Sequence, residues 1–321
     1  MKKLFFSLVA AMMAATASFA QSSMLATLSH DGEISAFYGA SALREAHNAA
    51  THGDIITLSS GSFNSVDITK GVTIRGAGCS LDRETTIIIG DFSIAIPNDK
   101  RLIMEGIYHN HTITLKDYWL VNPTFLKCRL NRLKHNISAT MNLTMINCQV
   151  ASEMDICYNS SASFVNCILM NSYVGVNGNY EFYNCIISNA NCRNSILKNC
   201  ILSVTGNDYS LESNNIAQNC VAVGNATKIF KNIPNTTNMI KTYEEVFKTY
   251  TGNYTDNESF ELTEEAKTTL LGSDGTQVGI YGGNMPYDPT PSIPQISKCN
   301  VAAKSTADGK LSVDITVQGA E

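Results

Sequence analysis

The chain has 321 residues, of which 16% are charged and 44% are hydrophobic. The charged share is below the roughly 25% of an average globular protein while the hydrophobic share is ordinary, so the composition argues against a disordered chain and allows one large domain or two small ones. The 23 basic and 28 acidic residues leave a net charge of -5, which argues against nucleic acid as the main partner.

The first residues have the order of a secretory signal peptide. Lys2 and Lys3 form a short positive region, residues 4–15 form an uncharged apolar core, and a small-x-small site ends at Ala20. A membrane anchor is the alternative, but this core is shorter than the roughly 20 residues that span a bilayer. Gln21 follows where a lipoprotein would have cysteine. We therefore expect no membrane span and a secreted, periplasmic or cell-surface protein.

The next part of the chain predicts one helix followed by short strands. Residues 42–50 contain helix formers, and Ser41 stands where an N-cap is expected. Short runs rich in β-branched residues and punctuated by glycine follow at 55–58, 72–76 and 86–90. This order indicates a short helical cap ahead of a β structure.

Six cysteines mark a repeated unit. Each unit has an aromatic or aliphatic residue, a variable residue, asparagine (lysine in the first unit), cysteine, a variable residue and an aliphatic residue. The intervals between the cysteines are 20, 19, 18, 15 and 20 residues, a period that has no room for a long helix and is typical of a β-solenoid. A leucine-rich repeat is the competing solenoid, but its Leu-x-x-Leu-x-Leu pattern is absent. The six are Cys128, Cys148, Cys167, Cys185, Cys200 and Cys220.

The alternation within each unit assigns side chains to the inside or the outside. The cysteines would point inward, and we predict a stack of free thiols because coils about 4.8 Å apart hold the Cβ atoms too far apart for disulfides. Asparagine suits the corner between two strands, where it tolerates a left-handed backbone and stacked amides would bond one another. The residue after each cysteine would point outward, and something should cover the resulting apolar stripe. We expect residues 243–281 to do so, and a partner molecule is the alternative. The stripe contains Ile168, Ile186, Ile201 and Val221.

At residues 42–78 and in the asparagine-cysteine units, the chain resembles right-handed parallel β-helix proteins of the pectin-lyase-like kind. This resemblance implies a helix that plugs the N-terminal end of the solenoid. Residues 272–283 are similar to the segment that closes the last coil in many secreted β-helix proteins. We therefore predict an all-β fold, a right-handed parallel β-helix (β-solenoid) of roughly eight or nine coils with an N-terminal capping helix and a short C-terminal extension.

Three segments follow from these patterns. Residues 1–20 form the signal peptide, residues 21–285 the β-helix domain with its cap and closing segment, and residues 286–321 a linker with a final strand pair. The strand pair, at 299–304 and 310–317, is too short for a domain. The linker is indicated by Pro286, Pro289, Pro291 and Pro294.

The residues that enzymes of this kind use are not found in the coils. By the resemblance, lyases of this fold hold calcium with clustered aspartates or use a basic group, and hydrolases carry close-set aspartates. We therefore predict a non-catalytic protein without a cofactor, whose lateral face binds a polysaccharide or another cell-surface component. A polysaccharide lyase or glycoside hydrolase acting on an acidic polysaccharide is the alternative, and a purely structural role is not separated from the first hypothesis. The acids in the coils are scattered at Glu153, Asp155, Glu181, Asp208 and Glu212.

A cluster of basic residues is the best candidate for a binding site. Such a cluster could hold a sulfate or carboxylate of a glycan, with the single tryptophan of the chain as a stacking surface. A solvated corner loop is the alternative interpretation. The candidates are Lys127, Arg129, Arg132, Lys134, His135 and Trp119.

A His-x-His pair is a candidate metal site. His109 and His111 share strand parity with Glu105, and these residue types can ligate a metal. The chain is expected to turn at Gly106, however, which would place the three side chains on different faces. We therefore expect no metal.

Overall fold

We describe the fold from a computed structural model of the chain. The structure describes residues 24–81, 84–97, 99–116, 122–135, 141–156, 160–174, 178–188, 192–204, 211, 214–233, 237–255, 258–292, 294–301, 309–310 and 313–318. The predicted signal peptide at 1–20 and the predicted stacking residue Trp119 lie outside the described residues.

The described part of the chain is built mainly from short strands. Its helices are α1 (Ala42–Ala49), α2 (Tyr243–Val246) and α3 (Glu264–Thr269). Its strands are β1 (Leu25–His30), β2 (Glu33–Tyr38), β3 (Ile55–Leu58), β4 (Gly61–Asn64), β5 (Thr73–Gly78), β6 (Thr86–Ile89), β7 (Phe92–Ile94), β8 (Leu102–Leu115), β9 (Pro123–Leu126), β10 (Arg129–His135), β11 (Asn142–Ile146), β12 (Gln149–Ile156), β13 (Ser161–Val165), β14 (Ile168–Leu169), β15 (Ser172–Val174), β16 (Asn179–Tyr183), β17 (Ile186–Ser188), β18 (Ser195–Lys198), β19 (Ile201–Val204), β20 (Ile216–Gln218), β21 (Val221–Gly224), β22 (Met239–Lys241), β23 (Gln295–Val301) and β24 (Val313–Gln318).

Parallel pairing between successive coils encloses one hydrophobic core. The first sheet contains β3, β5, the start of β8, β9, β11, β13, β16, β18 and β20. The second contains β4, β6, the middle of β8, β10, β12, β14, β17, β19, β21 and β22. A third run joins β7, β15 and the ends of β8, β10 and β12. These strands form a parallel β-solenoid of about eight turns, so the predicted all-β parallel β-helix is confirmed.

An antiparallel hairpin and α1 close the N-terminal end. Strand β1 pairs antiparallel with both β2 and β3. Helix α1 packs Leu43 and Ala46 onto the core, which is the capping role that the resemblance implies. Ser41 occupies the N-cap position, but its side chain makes no capping hydrogen bond. Lys70 caps the other end instead, with its Nζ 2.7–2.8 Å from three main-chain oxygens.

Left-handed residues turn the chain from the first sheet into the second. The corner asparagines have φ values between 50° and 56°, a region that asparagine tolerates better than most non-glycine residues. Lys127 adopts the same conformation in the first unit, with φ 51°. The corner position predicted for asparagine is therefore confirmed. These residues are Asn147, Asn166, Asn184, Asn199 and Asn219.

The six repeat cysteines form the predicted interior ladder of free thiols. Each is at most 1% exposed, and none of them is in a disulfide. The Cys167 thiol donates to the Met145 oxygen of the preceding coil at 3.4 Å, and Cys185 makes the same bond to Phe164. Burial raises the pKa of the Cys148 thiol well above its ordinary value, because a thiolate would be desolvated there.

We expect these thiols to react with iodoacetamide only after unfolding. In the folded protein, burial excludes the reagent from these thiols. In denaturant without a reductant, mass spectrometry should find all six repeat cysteines alkylated. Three disulfides among them would contradict the ladder, and rapid labelling of Cys167 in the folded protein would contradict its burial.

The described residues of the segment 243–270, which we call the cover, lie on the second sheet. Thr242 and Glu245 form a capping box that starts α2. Val246 and Phe247 of the cover pack with the outward residues of four coils, and this second apolar cluster is at most 3% exposed. The predicted apolar stripe and its burial by the C-terminal segment are confirmed. The stripe residues in this cluster are Ile168, Ile186, Ile201 and Val221.

Residues 271–292, which we call the strap, run back along the asparagine corners towards the N-terminal coils. The Ser273 N–H donates to Asn199 Oδ1 at 3.0 Å. The Asn166 amide donates to two main-chain oxygens of the strap, 2.7 and 2.8 Å away, and the Asn219 amide lies 3.5 Å from a third. The sequence predicts amides that bond one another, but at these three corners the hydrogen bonds go to the strap.

The far end of the strap reaches the early coils. Lys127 Nζ lies 2.6 Å from the Thr290 oxygen, and the Ser292 N–H donates to the Glu105 carboxylate at 2.7 Å. The proline-rich residues 286–292 therefore follow the solenoid, and the domain boundary after residue 285 stays a prediction.

The final strand pair forms a sheet of its own. Strands β23 and β24 pair antiparallel with each other, and among the described residues neither pairs with the solenoid. The pair lies in the predicted region, but its strands are shifted, with β23 starting four residues before the predicted residue 299. Both strands lie beyond the strap.

Candidate functional site

Outward-pointing residues at equivalent positions in successive coils form a ladder on the second sheet. This outward ladder changes from polar to apolar along the solenoid. Parallel pairing places Tyr108, Arg129, Gln149 and Ile168 side by side in successive coils. The apolar stripe begins at Ile168 and lies under the cover. The polar part of the ladder is therefore left beside the edge of the cover, where a cleft forms.

This cleft encloses about 400 Å³, within the range of small-molecule sites. Its floor consists of Arg129, Gln149 and Ile168. The connection between β5 and β6 contributes residues 79–81. The cover and the strap contribute the remaining lining residues, which are Glu258, Ser259, Tyr281, Tyr287 and Pro289.

Arg129 is the cationic group of the cleft. It points outward as the first residue of β10, because Lys127 forms the corner and Cys128 points into the core. Its guanidinium carbon lies 5.3 Å from the centre of the Tyr108 ring, within cation–π distance. Only 6% of Arg129 is exposed. A guanidinium is a planar group whose donors match a carboxylate or a similar oxyanion.

Tyr254 and the strained residue Phe260 hold the edge of the cover beside Gln149. The Tyr254 hydroxyl is hydrogen-bonded to Gln149, and the Tyr254 ring stacks on Phe260 with centroids 6.4 Å apart. Phe260 is buried with φ 53°, a conformation that is rare for an aromatic residue. Its N–H lies 3.4 Å from a Glu258 carboxylate oxygen that also accepts from the Thr249 hydroxyl at 2.7 Å. Glu258 is therefore fixed beside the cleft.

Two tyrosines of the strap supply neutral phenols. Burial raises the pKa of both Tyr281 and Tyr287, and the negative charge of Glu261 adds to the rise at Tyr281. The Tyr281 hydroxyl donates to the Ser259 oxygen at 2.7 Å. Because the phenols stay protonated at neutral pH, they act as hydrogen-bonding groups and apolar surfaces rather than as bases.

The structure separates the predicted basic residues. Arg129 lines the cleft, but Lys127 lies at the corner, 3.3 Å from the Asp288 carboxylate. Gln149 is not among the residues predicted from the sequence, although it occupies in the next unit the position that Arg129 has in its own. That equivalence was the signal that could have identified it. The strap tyrosines carry no such signal.

The other predicted site residues lie away from the cleft. Arg132 and Lys134 are 2.8 and 3.3 Å from the Glu153 carboxylate, which pairs with both. His135 is buried at the end of β10. Trp119 is outside the described residues. A role of these residues in glycan binding stays a prediction.

The His-x-His pair is divided between the core and the surface. His109 is buried, its Nε2 is 3.0 Å from the Gly90 oxygen, and burial lowers its pKa. His111 is partly exposed near Asp91, while Glu105 is held by the strap on the first sheet. Within the described ranges, no three histidine, cysteine or acidic residues are grouped so that they could hold a metal ion.

Comparison with family models, with curated proteins and with solved structures finds no match for this chain. The parallel β-helix is shown by the structure itself, and the resemblance to pectin-lyase-like proteins stays a prediction. In the part of the chain that the structure describes, no helix has the length and apolar character needed to cross a membrane.

Proposed function

We propose that this chain is an exported protein that binds an acidic glycan in the cleft at Arg129 and does not cleave it. The observation that carries the proposal is a nearly buried guanidinium on the floor of a cleft of about 400 Å³. Export is supported by the charge and hydrophobic order of residues 1–20, and it places the protein in the periplasm, at the cell surface or in the medium.

The groups around Arg129 fit the chemistry of an acidic sugar. The guanidinium can pair with a carboxylate or a sulfate through two hydrogen bonds. The amide of Gln149 and the carboxylate of Glu258 can bond sugar hydroxyls, and the rings of Tyr281 and Tyr287 offer apolar surface to a sugar face. An acidic saccharide uses all of these groups at once.

Catalysis would need groups that are not found among the described residues lining this cleft. Glycoside hydrolases use two carboxyl groups about 5–10 Å apart, but Glu258 is the one carboxylate among the described residues that line the cleft. A lyase needs a base that removes a proton, whereas burial keeps the Tyr281 and Tyr287 phenols protonated. These observations favour binding over the alternative of a lyase or hydrolase.

The variant Arg129→Gln is expected to bind acidic oligosaccharides at least about tenfold more weakly, because a bidentate charge-assisted contact is lost. Isothermal titration calorimetry with galacturonate and hyaluronan oligomers would measure Kd for the parent and the variant. Arg132→Gln is the matched control, since Arg132 lies on the same strand but pairs with Glu153 outside the cleft. The control should bind like the parent.

Equal affinities of Arg129→Gln and Arg132→Gln would contradict the proposal, provided that both variants unfold at the denaturant concentration of the parent. Catalysis is tested by incubating the parent with both polysaccharides and measuring unsaturated-uronate absorbance and new reducing ends. Neither signal is expected. Formation of either product would favour the enzyme.

A further inference from the structure

The cleft is short and is closed by the cover in one direction along the solenoid. Its floor spans three ladder positions from Arg129 to Ile168, or about 10 Å, because neighbouring parallel strands are about 4.8 Å apart. Beyond Ile168 the cover lies directly on the sheet. The Tyr254 hydroxyl bonded to Gln149 stands at this boundary.

A connection from an earlier coil reaches the cleft from the N-terminal direction. It leads from β5 to β6, and its residues Cys79, Ser80 and Leu81 line the cleft. Cys79 is buried, whereas Leu81 is 48% exposed and forms part of the rim. A glycan chain laid along the ladder of the second sheet would meet this connection on one side and the cover on the other.

Among the described residues that line the cleft, one is positively charged and one is negatively charged. Arg129 is positive on the floor, and Glu258 comes from the cover, where Thr249 and Phe260 hold its carboxylate. A sugar hydroxyl can donate to this carboxylate, but a second acidic group placed there would be repelled. The cleft is therefore suited to one acidic sugar beside an uncharged one.

We infer that the cleft binds the end of a glycan chain, with a terminal acidic sugar at Arg129 and an uncharged neighbour towards Glu258, and not an internal segment of the polymer. This inference rests on the proposed function. Its physical basis is the short floor, the obstruction in both directions along the ladder, and the pair of opposite charges. Internal binding would require a groove that stays open at both ends.

Calorimetry with hyaluronan chains of increasing length tests the inference, because this polymer alternates acidic and uncharged sugars. A tetrasaccharide that has one acidic end and a long polymer should each bind one protein per acidic chain end, with Kd values per acidic end within about threefold of each other. Partial hydrolysis that exposes more acidic ends should raise the amount of protein bound at a constant mass of polymer.

The outcomes separate the inference from the proposed function. A stoichiometry that rises with chain length, without new ends, would overturn chain-end binding and leave glycan binding at Arg129 in place. If neither hyaluronan nor galacturonate oligomers bind, or if Arg129→Gln binds them as tightly as the parent, the proposed function fails and the inference fails with it.

A charge variant tests the position of the uncharged sugar independently of chain length. The measured quantity is the ratio of the affinity for digalacturonate, which is acidic at both sugars, to the affinity for the hyaluronan tetrasaccharide. Glu258→Gln should raise this ratio by at least about threefold. Glu261→Gln is the control, since Glu261 pairs with Lys248 and does not line the cleft. The control should leave the ratio unchanged, and an unchanged ratio in Glu258→Gln would overturn the inference.

Discussion

Replacing Ile201 with aspartate is expected to lower the free energy of unfolding by at least about 3 kcal/mol, because a carboxylate would be buried there without a partner. Ile201 is 0% exposed between the second sheet and the strap. The strap approaches it so closely that a Cβ at Gly279, which has φ 80°, would lie 2.7 Å from Ile201 Cδ1. This site therefore has no room for water around a new charge.

The matched control is Ile216→Asp. Ile216 also points outward from a coil, but it lies on the first sheet and is 50% exposed, so its variant should change the free energy of unfolding by less than about 1 kcal/mol. Urea denaturation followed by circular dichroism would measure both. Equal losses in the two variants would mean that burial of Ile201 under the strap contributes no more to stability than exposure to solvent does.

The variant Asn166→Ala is expected to lower the free energy of unfolding by about 3 kcal/mol. Two hydrogen bonds to the strap are lost, at about 1 kcal/mol each, and alanine must adopt the left-handed conformation, at about 1–2 kcal/mol. Urea denaturation would measure the loss. The size of the effect comes from one residue that both turns the coil and binds the strap.

Two further variants separate these contributions. Asn166→Gly accepts the left-handed conformation without cost, so it should lose only the hydrogen-bond part, about 2 kcal/mol. Asn171 is also left-handed but is exposed, and its amide donates to the Ser152 oxygen at 3.1 Å, so Asn171→Ala should lose less than Asn166→Ala. A glycine variant as stable as the parent would show that the strap bonds at this corner contribute nothing.

The sequence predicts the solenoid because its repeat is a local pattern with a direct structural meaning. The residues next to Cys167 show this, since Asn166 forms the corner, the cysteine points inward and Ile168 points outward. A strand alternates sides at every residue, so one correct assignment fixes its neighbours. The same alternation led to the apolar stripe and to the expectation that the C-terminal segment covers it.

The cleft could be predicted only in part, because its residues come from distant parts of the chain. Arg129 is a candidate from the sequence, where it stands close to Arg132 and Lys134. In the structure Arg132 and Lys134 lie in the third run of strands and pair with Glu153. A register shift after Leu130 separates the two parts of β10, and nothing in the local pattern indicates it. The contacts of the strap tyrosines depend on how the strap crosses the corners.

The corner residues themselves do not indicate that the strap binds them. Asparagine is expected at a left-handed turn whether or not another segment binds its amide. Asn166 and Asn199 both turn the chain and bind the strap. Their partners in the strap lie 114 and 74 residues further along the chain. Pairings at such separations are set by the packing of the stripe and the cover, which aligns the strap with the corners.

The strap changes the way in which the coils depend on one another. In a plain solenoid each coil contacts only its neighbours, so stability adds up along one dimension and the ends can fray independently. Here a single segment binds the Asn219 corner near one end of the array and Glu105 near the other. Loosening of either end therefore disturbs a segment that is also bound at the opposite end. We therefore expect the array to unfold more cooperatively than a string of repeats, because the strap contacts coils that are distant along it.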